Sequence, residues 1–241
     1  MIFRNPTGGL FYFIRAYRYK KKLWKSYLDQ VAKKIQNDFQ ESKKIILVGP
    51  SAGFSFSKKW IKQFEEVICV DIDPFACLLF KMRFESEKIK WVRKNLFFDS
   101  KGKEIGRGFF DFLEKHPNHA VLFCNFLGQM KLLISDSEAE SLKLKKFFMN
   151  LPSQMTKRTW ASFHDKLSGE LKPNEKVQYK TTQLLGEQAC AKIFYQKSAN
   201  GELISHQVDL PLDFLFTHVT YFSWEISPGV YHLIEYVHSR S

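Results

Sequence analysis

The sequence predicts an α/β fold: a mostly parallel sheet with helices on both faces, preceded by a helical arm and closed by antiparallel hairpins. Three observations lead there. Between residues 44 and 165, short and nearly continuous apolar runs alternate with helix-compatible stretches, as expected of parallel strands buried on both faces. A glycine-containing turn follows the first of these runs, and an acid ends the second. Beyond Gly169 the pattern changes to paired apolar runs around turn residues.

The arm comes first. Leu10, Ile14, Tyr17, Trp24, Leu28, Val31, Ile35 and Phe39 recur at helical steps, which predicts an amphipathic stripe broken into two helices near Lys20–Lys22. Such a face needs a surface to cover. Residues 1–43 are therefore expected to pack on a main domain spanning 44–241, with Ile14, Tyr17 and Trp24 buried.

Ile45–Val48 reads as the first strand, followed by Gly-Pro-Ser-Ala-Gly and a helix-compatible stretch through Phe64. Val67–Val70 is the second strand, closing on Asp71-Ile72-Asp73-Pro74, and Phe75–Phe84 is a helix. Ile89–Val92 reads as a third strand ending at Asn95, and Ala120–Phe126 as a fourth. A charged periodic helix follows at Ser137–Met149, then a fifth strand at Thr159–Phe163. In the last third, Ala191–Gln196 and Glu202–Val208 flank Ser198-Ala199-Asn200-Gly201, with Asn-Gly as a hairpin signal. This gives an antiparallel extension around residues 176–209. Val219–Ile226 and Val230–Val237 flank Ser227-Pro228-Gly229 as a second hairpin.

Composition narrows the function. The chain has 241 residues, 44% hydrophobic and 16% aromatic, a globular balance. No apolar run approaches the ~18–20 residues of a membrane span. Arg15 interrupts the apolar patch at Leu10–Ile14, which reads against a secretory signal. Cys69, Cys77, Cys124 and Cys190 are scattered without C-x-x-C spacing, so neither a disulfide framework nor a zinc site is expected, and the cytoplasm is the natural compartment. Residues 1–44 carry eleven Lys and Arg against three acids, +8 of the total +12. The basic residues 15–25 can attract a polyanion such as nucleic acid, or they form a solvated helix face.

The most informative stretch runs from Leu47 to Asn95. A glycine at a strand end lets the chain turn sharply beside a ligand. An acid at the next strand tip can accept hydrogen bonds from ribose hydroxyls. Here Gly49-x-Ser51-x-Gly53 follows the first strand, Asp71 ends the second, and Asn95-Leu96-Phe97 follows the third. Over residues 44–165 this resembles the class I S-adenosylmethionine-dependent methyltransferases, a Rossmann-like family with a G-x-G-x-G loop, an acid and a third-strand polar residue in that order. Ser51 stands for the middle glycine, Asn95 for the usual Asp, and Leu47 for an acid often found in the first strand. The resemblance implies S-adenosylmethionine as cofactor, with Gly49, Ser51, Gly53, Asp71, Asn95, Leu96 and Asn125 around it, Asn95 facing the adenine amine.

Three rivals use the same residues, the plainest being a glycine-containing strand–helix turn with an incidental acid. A nicotinamide fingerprint needs glycines where Ser51 and Phe54 stand. The G-x-S-x-G of a serine hydrolase matches Gly49-x-Ser51-x-Gly53 literally, but no earlier strands precede it to supply an oxyanion loop. For the chemistry, the ends of the fourth and fifth strands face the methyl group in the resembling family. His164-Asp165 is the candidate catalytic pair there, a histidine base beside an orienting acid; a strand-end His with a capping Asp is the structural alternative. Asn125 lacks the N-P-P-[YF] context of enzymes that methylate nucleic-acid amino groups. His232 and Glu235 lie in the last strand, where a buried and paired His is expected. Two functions remain open: a methyltransferase acting on an unidentified methyl acceptor, and a methyltransferase-like protein that binds a nucleotide or partner without catalysis.

Overall fold

A computed structural model describes residues 9–85, 87–98, 104–174, 179–195 and 203–240. Its centre is a sheet in the order β3-β2-β1-β4-β5-β9-β8-β6. Strands β1 (Lys44–Val48), β2 (Glu66–Val70), β3 (Ile89–Val92), β4 (Ala120–Cys124) and the lower part of β5 (Trp160–Gly169) pair in parallel. β9 (Val230–Ser239) then runs antiparallel between β5 and β8 (His218–Ser227), so β8 returns to the direction of β5. Two short antiparallel strands complete the sheet: β6 (Lys180–Thr181) on β8, and β7 (Leu203–Ser205) on the upper part of β5. This is the expected Rossmann-like architecture.

Alternation along each strand sends side chains into two cores. Ile46, Val48, Ile68, Val70, Val121 and Phe123 face α5 (Arg107–Glu114), α6 (Glu138–Gln154) and a group from the last third that includes Leu184, Phe194, Leu210 and Phe216. Ile45, Leu47, Val67, Cys69 and Leu122 face the other side, where α1 (Gly9–Tyr19), α2 (Lys25–Asp38), α3 (Lys58–Lys62) and α4 (Pro74–Phe84) pack. Burying each such side chain contributes about 1.5–3 kcal/mol, which is why these strands read as continuous apolar runs. Helix starts follow local chemistry: Asp73 Oδ1 accepts from Phe75 N–H at 2.8 Å ahead of Pro74, and Ser137 Oγ from Glu140 N–H at 3.3 Å.

Several elements depart from expectation. Of the expected strand Ala191–Gln196, residues Ala191–Tyr195 form a π-helical turn continuing α7 (Glu187–Cys190), and Gln196 lies outside the described residues. The turn residues 198–201 lie outside the described residues, and β7 pairs with β5 instead of a neighbouring hairpin arm. The second hairpin forms as expected, turning at Gly229 with φ +76°. β5 runs on through Gly169 instead of stopping at Phe163, and β4 ends at Cys124 because Asn125 takes φ +54°. In the arm, residues 20–24 separate α1 from α2, but Ile14 is 53% and Tyr17 85% exposed. Trp24, Val31, Ile35 and Phe39 of the expected stripe are buried, and Tyr12, Ala16 and Tyr27 join them on the face laid on the sheet.

Candidate functional site

The parallel strands all end on one side, and there the chain leaves a cavity of about 430 Å³. Its floor comes from the tips of β1, β2 and β4: Gly49, Pro50 and Ser51, then Asp71, Ile72 and Asp73, then Cys124, Asn125 and Phe126. Its cover comes from the arm (Tyr12, Tyr27, Leu28) and from Trp224 of β8. Aromatic contact holds the cover: Tyr27 stacks on Trp224 at 4.8 Å, Trp24 meets it edge-on at 5.1 Å, and Trp24 Nε1 donates to Ile226 O at 3.0 Å.

The loop after β1 is shaped by its backbone. Gly49 and Gly53 sit at φ +65° and +67°, in the left-handed region that glycine enters without cost. At Gly53 a Cβ would come within 2.6 Å of the Phe84 ring and 2.8 Å of Phe80, so the loop presses onto α4. Ser51 shares the region at φ +51° despite its side chain. Asp71 fastens that turn: its Oδ2 accepts from Ser51 N–H at 3.1 Å and its Oδ1 from Asp73 N–H at 3.0 Å. Burial pushes the Asp71 carboxyl up to about 6, against the opposing pull of those N–H donors.

Asn125 is the second fixed point. Its Nδ2 donates to Asp165 Oδ2 and its Oδ1 accepts from Asp165 N–H, both at 3.0 Å, while its own N–H donates to Phe163 O at 2.8 Å. Asp165 is 1% exposed and also contacts His232 Nδ1 through Oδ1 at 2.8 Å. Burial alone would raise its carboxyl, but His232, His206 and the Asn125 amide outweigh that and hold it at about 2.

Of the residues singled out from sequence, the cavity wall contains Gly49, Ser51, Asp71 and Asn125. Gly53 stands behind the loop. Asn95 is exposed and spends its Oδ1 on Phe97 N–H and Phe98 N–H, at 3.1 and 3.0 Å, while Leu96 packs into the core beside Phe97. His164 and Asp165 project to opposite faces of the sheet and neither lines the cavity. His164 is fully buried, bonded to Ser162 Oγ at 2.9 Å and to Glu235 Oε1 at 3.1 Å. Among the described residues no histidine lines the cavity and none is bonded to the Ser51 hydroxyl, so the hydrolase arrangement has no base in place. Phe163 lies at the end of the fifth strand, one of the two strand ends expected to face the methyl group. Sequence reasoning missed Tyr12, Tyr27 and Trp224, which no motif marks.

Glu235 gathers a buried polar group on the far face: His164, Lys166 Nζ at 3.4 Å and Tyr221 O–H at 2.8 Å. Lys166 reaches it from the bulge in β5 between Asp165 and Leu167. Burial would raise Glu235, yet Lys166, His164 and Tyr221 pull it down to about 2. Among the described residues, two three-residue groups also have metal-ligand chemistry although no metal site was expected: Asp38-His218-His238 and Asp165-His206-His232.

No family model matches the chain, and no curated protein does. Solved methyltransferase structures are similar to it over most of its length. NodS, an N-methyltransferase from Bradyrhizobium japonicum in complex with S-adenosyl-L-homocysteine, is 9% identical over 91% of this chain and 89% of that one, with TM-score 0.46. DhpI in its complex with SAH is 12% identical over 93% and 92%, with TM-score 0.41. An S-adenosylmethionine-dependent methyltransferase from Clostridium acetobutylicum is 10% identical over 95% and 81%, with TM-score 0.38. No described helix is long and apolar enough to cross a membrane.

Proposed function

We propose that the chain is an S-adenosylmethionine-dependent methyltransferase that holds its cofactor in the cavity above β1, β2 and β4. The observation that carries this reading is Asp71: a carboxylate at a strand tip, in the cavity wall, hydrogen-bonded to the backbone of the glycine loop. A nucleoside laid across that junction meets the acceptors its ribose hydroxyls need and the bare backbone its chain can approach. Asn95 and Leu96 stand back from the wall, so Ile72 and Asp73 would flank the adenine.

The rest of the wall suits a cation. Tyr27, Phe163 and Trp224 bring aromatic rings to the cavity, and a sulfonium gains from ring faces in a site with little water. The same wall holds no His, Lys or Glu, and burial pushes the Tyr12 and Tyr27 phenols up, away from any role as a base. Methyl transfer needs alignment more than acid–base help, so the acceptor would be a nucleophile already neutral or deprotonated. His164 and Asp165 would then position β5 and Asn125. The carboxylates of the wall are already engaged, Asp71 by the N–H groups of Ser51 and Asp73 and Asp73 by that of Phe75, which equally favours the second reading, a cofactor binder without catalysis. The exposed Arg18, Lys21 and Lys22 at the elbow of the arm would meet any anionic part of the acceptor, nucleic acid included.

Titration calorimetry of the full chain with S-adenosylmethionine and S-adenosylhomocysteine tests the proposal. Both should bind, and Asp71→Ala should weaken them at least tenfold, consistent with a charged hydrogen bond contributing about 1.5–3 kcal/mol, with an unchanged circular-dichroism spectrum. Wild-type protein that binds neither would overturn it. Transfer of a labelled methyl group to any acceptor in a panel separates the enzyme from the binder.

A further inference from the structure

Far from the glycine loop, three elements meet where the arm joins the sheet edge. Asp38 is the last residue of α2, His218 the first of β8, and His238 lies near the end of β9 directly across from His218 in the strand register. Their ligand atoms all lie within 4.8 Å of one another. Asp38 Oδ2 accepts from Tyr236 O–H at 2.7 Å and contacts His218 Nε2 at 3.0 Å. The two imidazoles are 4.9 Å apart between centroids.

What singles the group out is His238. It is 3% exposed, and neither of its ring nitrogens has a hydrogen-bond partner. A buried imidazole normally has at least one partner, and an exception asks for an explanation. The second histidine group differs in this respect. There His232 Nδ1 meets Asp165 Oδ1, and His206 contacts Gly128 O through Nδ1 and Ser168 Oγ through Nε2, so each of its ligand groups is already engaged.

We propose that Asp38, His218 and His238 form a binding site for a divalent transition-metal ion, of the zinc class, that fastens the C-terminal end of α2 to the β8–β9 hairpin. Two neutral imidazoles and one carboxylate are donors of that class, and not of the all-oxygen class that takes calcium or magnesium. Ligand-to-metal distances of about 2.0–2.2 Å put neighbouring donors of a tetrahedral site about 3.3–3.6 Å apart, between the 3.0 Å that separates His218 Nε2 from Asp38 Oδ2 and the 4.8 Å that bounds the group. The metal takes the place of the direct contact between His218 and Asp38, and it gives the His238 nitrogen its partner. The His218 side chain is 23% exposed, leaving a water path to the fourth position. Tyr236 O–H, held on Asp38 Oδ2, orients the carboxylate from behind. The nearest cations are kept aside: Lys34 Nζ lies over the Tyr236 ring at 5.6 Å, and Arg240 pairs with Glu41. Because α2 also carries Tyr27 in the cavity cover, the ion holds that cover in place.

The experiment uses the full chain stripped with a chelator and titrated with Co²⁺, then Zn²⁺ in competition. One equivalent of Co²⁺ should bind with a visible d–d band that Zn²⁺ abolishes, and metal should slow proteolytic cleavage within residues 9–39. His238→Ala and the more exposed His218→Gln should each lose that equivalent while keeping the metal-free melting temperature near the wild-type value; His206→Ala should retain it. The His218 variant keeps the test decisive if the His238 variant fails to fold. Wild-type protein that takes up no Co²⁺, or uptake that survives His218→Gln and is lost in His206→Ala, overturns the proposal.

Discussion

Asn125 clasps Asp165 with both ends of one amide, donating to the carboxylate and accepting from the backbone N–H, each at 3.0 Å. It does so from a left-handed backbone, φ +54°, which costs an ordinary residue about 1–2 kcal/mol. Strain of this kind persists where the surroundings over-determine it. The pairing ties the tip of β4, in the cavity wall, to the interior of β5.

This separates two costs by mutation. Asn125→Gly should lose the two side-chain bonds but gain a backbone at ease with positive φ. Asn125→Ala loses the bonds and keeps the strain, so it should be the less stable variant by about 1 kcal/mol or more. Urea unfolding of both variants measures the difference. Equal stabilities would mean that the conformation of residue 125 relaxes once the amide is gone.

Asp71 gives a pH signature with two opposite signs. Its folded carboxyl is raised from 3.8 to about 6, so without ligand the protonated form is favoured in the folded state. The ligand-free protein should therefore lose stability as pH rises through the window from about 4 to 6. A ribose bound to the carboxylate needs the ionised form, so cofactor affinity should rise over the upper part of that window. Asp71→Asn should flatten both profiles, read by thermal unfolding and by calorimetry. A cofactor affinity independent of pH between 5 and 7 in the wild type would remove Asp71 from the ribose contact.

The parts of this site encoded locally were legible in the sequence. β1 and β2 are apolar because both faces are covered, and Gly49, Ser51 and Asp71 follow at their tips, where chain direction alone places them together. Asn95 stands outside the cavity wall because its side chain caps its own loop, a local bond that competes with any ligand. The run Ala191–Tyr195 looked strand-like by residue type, yet its buried positions, Cys190, Ala191, Phe194 and Tyr195, have the helical spacing that should have decided it. Ile14 and Tyr17 fall on the apolar stripe by their helical spacing with Leu10 and Trp24, yet both are exposed. The close contact belongs to the small Ala16 instead, 0% exposed. Tyr12, Tyr27 and Trp224 reach the cavity through packing between the two ends of the chain, and no local pattern records that.

The Glu235 group should dominate acid sensitivity together with Asp165. Both carboxyls are held at about 2, below the 4.5 and 3.8 of ordinary Glu and Asp. Depressed acids stabilise the fold above their unfolded values and lose that contribution as pH falls toward their folded ones. Stability should therefore decline from about pH 4.5 downward toward pH 2. Glu235→Ala leaves Lys166 and His164 buried without their acceptor and should cost about 3–5 kcal/mol at neutral pH. Glu235→Gln should cost less and flatten the acid limb, measured by urea unfolding at a series of pH values.

The basic elbow of the arm can be tested apart from the fold. Arg18, Lys21 and Lys22 are exposed, whereas Lys25 Nζ is taken up by Asp29 at 2.5 Å. If the elbow meets phosphates, the logarithm of affinity for a short single-stranded RNA should fall linearly with the logarithm of salt, because each contact releases condensed counterions. Each neutralised contact should reduce the slope by about 0.7. The triple change Arg18→Gln, Lys21→Gln, Lys22→Gln should then flatten the dependence by about 2 units, while Lys25→Gln leaves it unchanged. Stability should hold in all of them, since the arm is anchored by Trp24, Tyr27 and Val31 on its other face. A slope that survives the triple change would show that the elbow is a solvated helix end, and anionic acceptors would have to enter the cavity from another side.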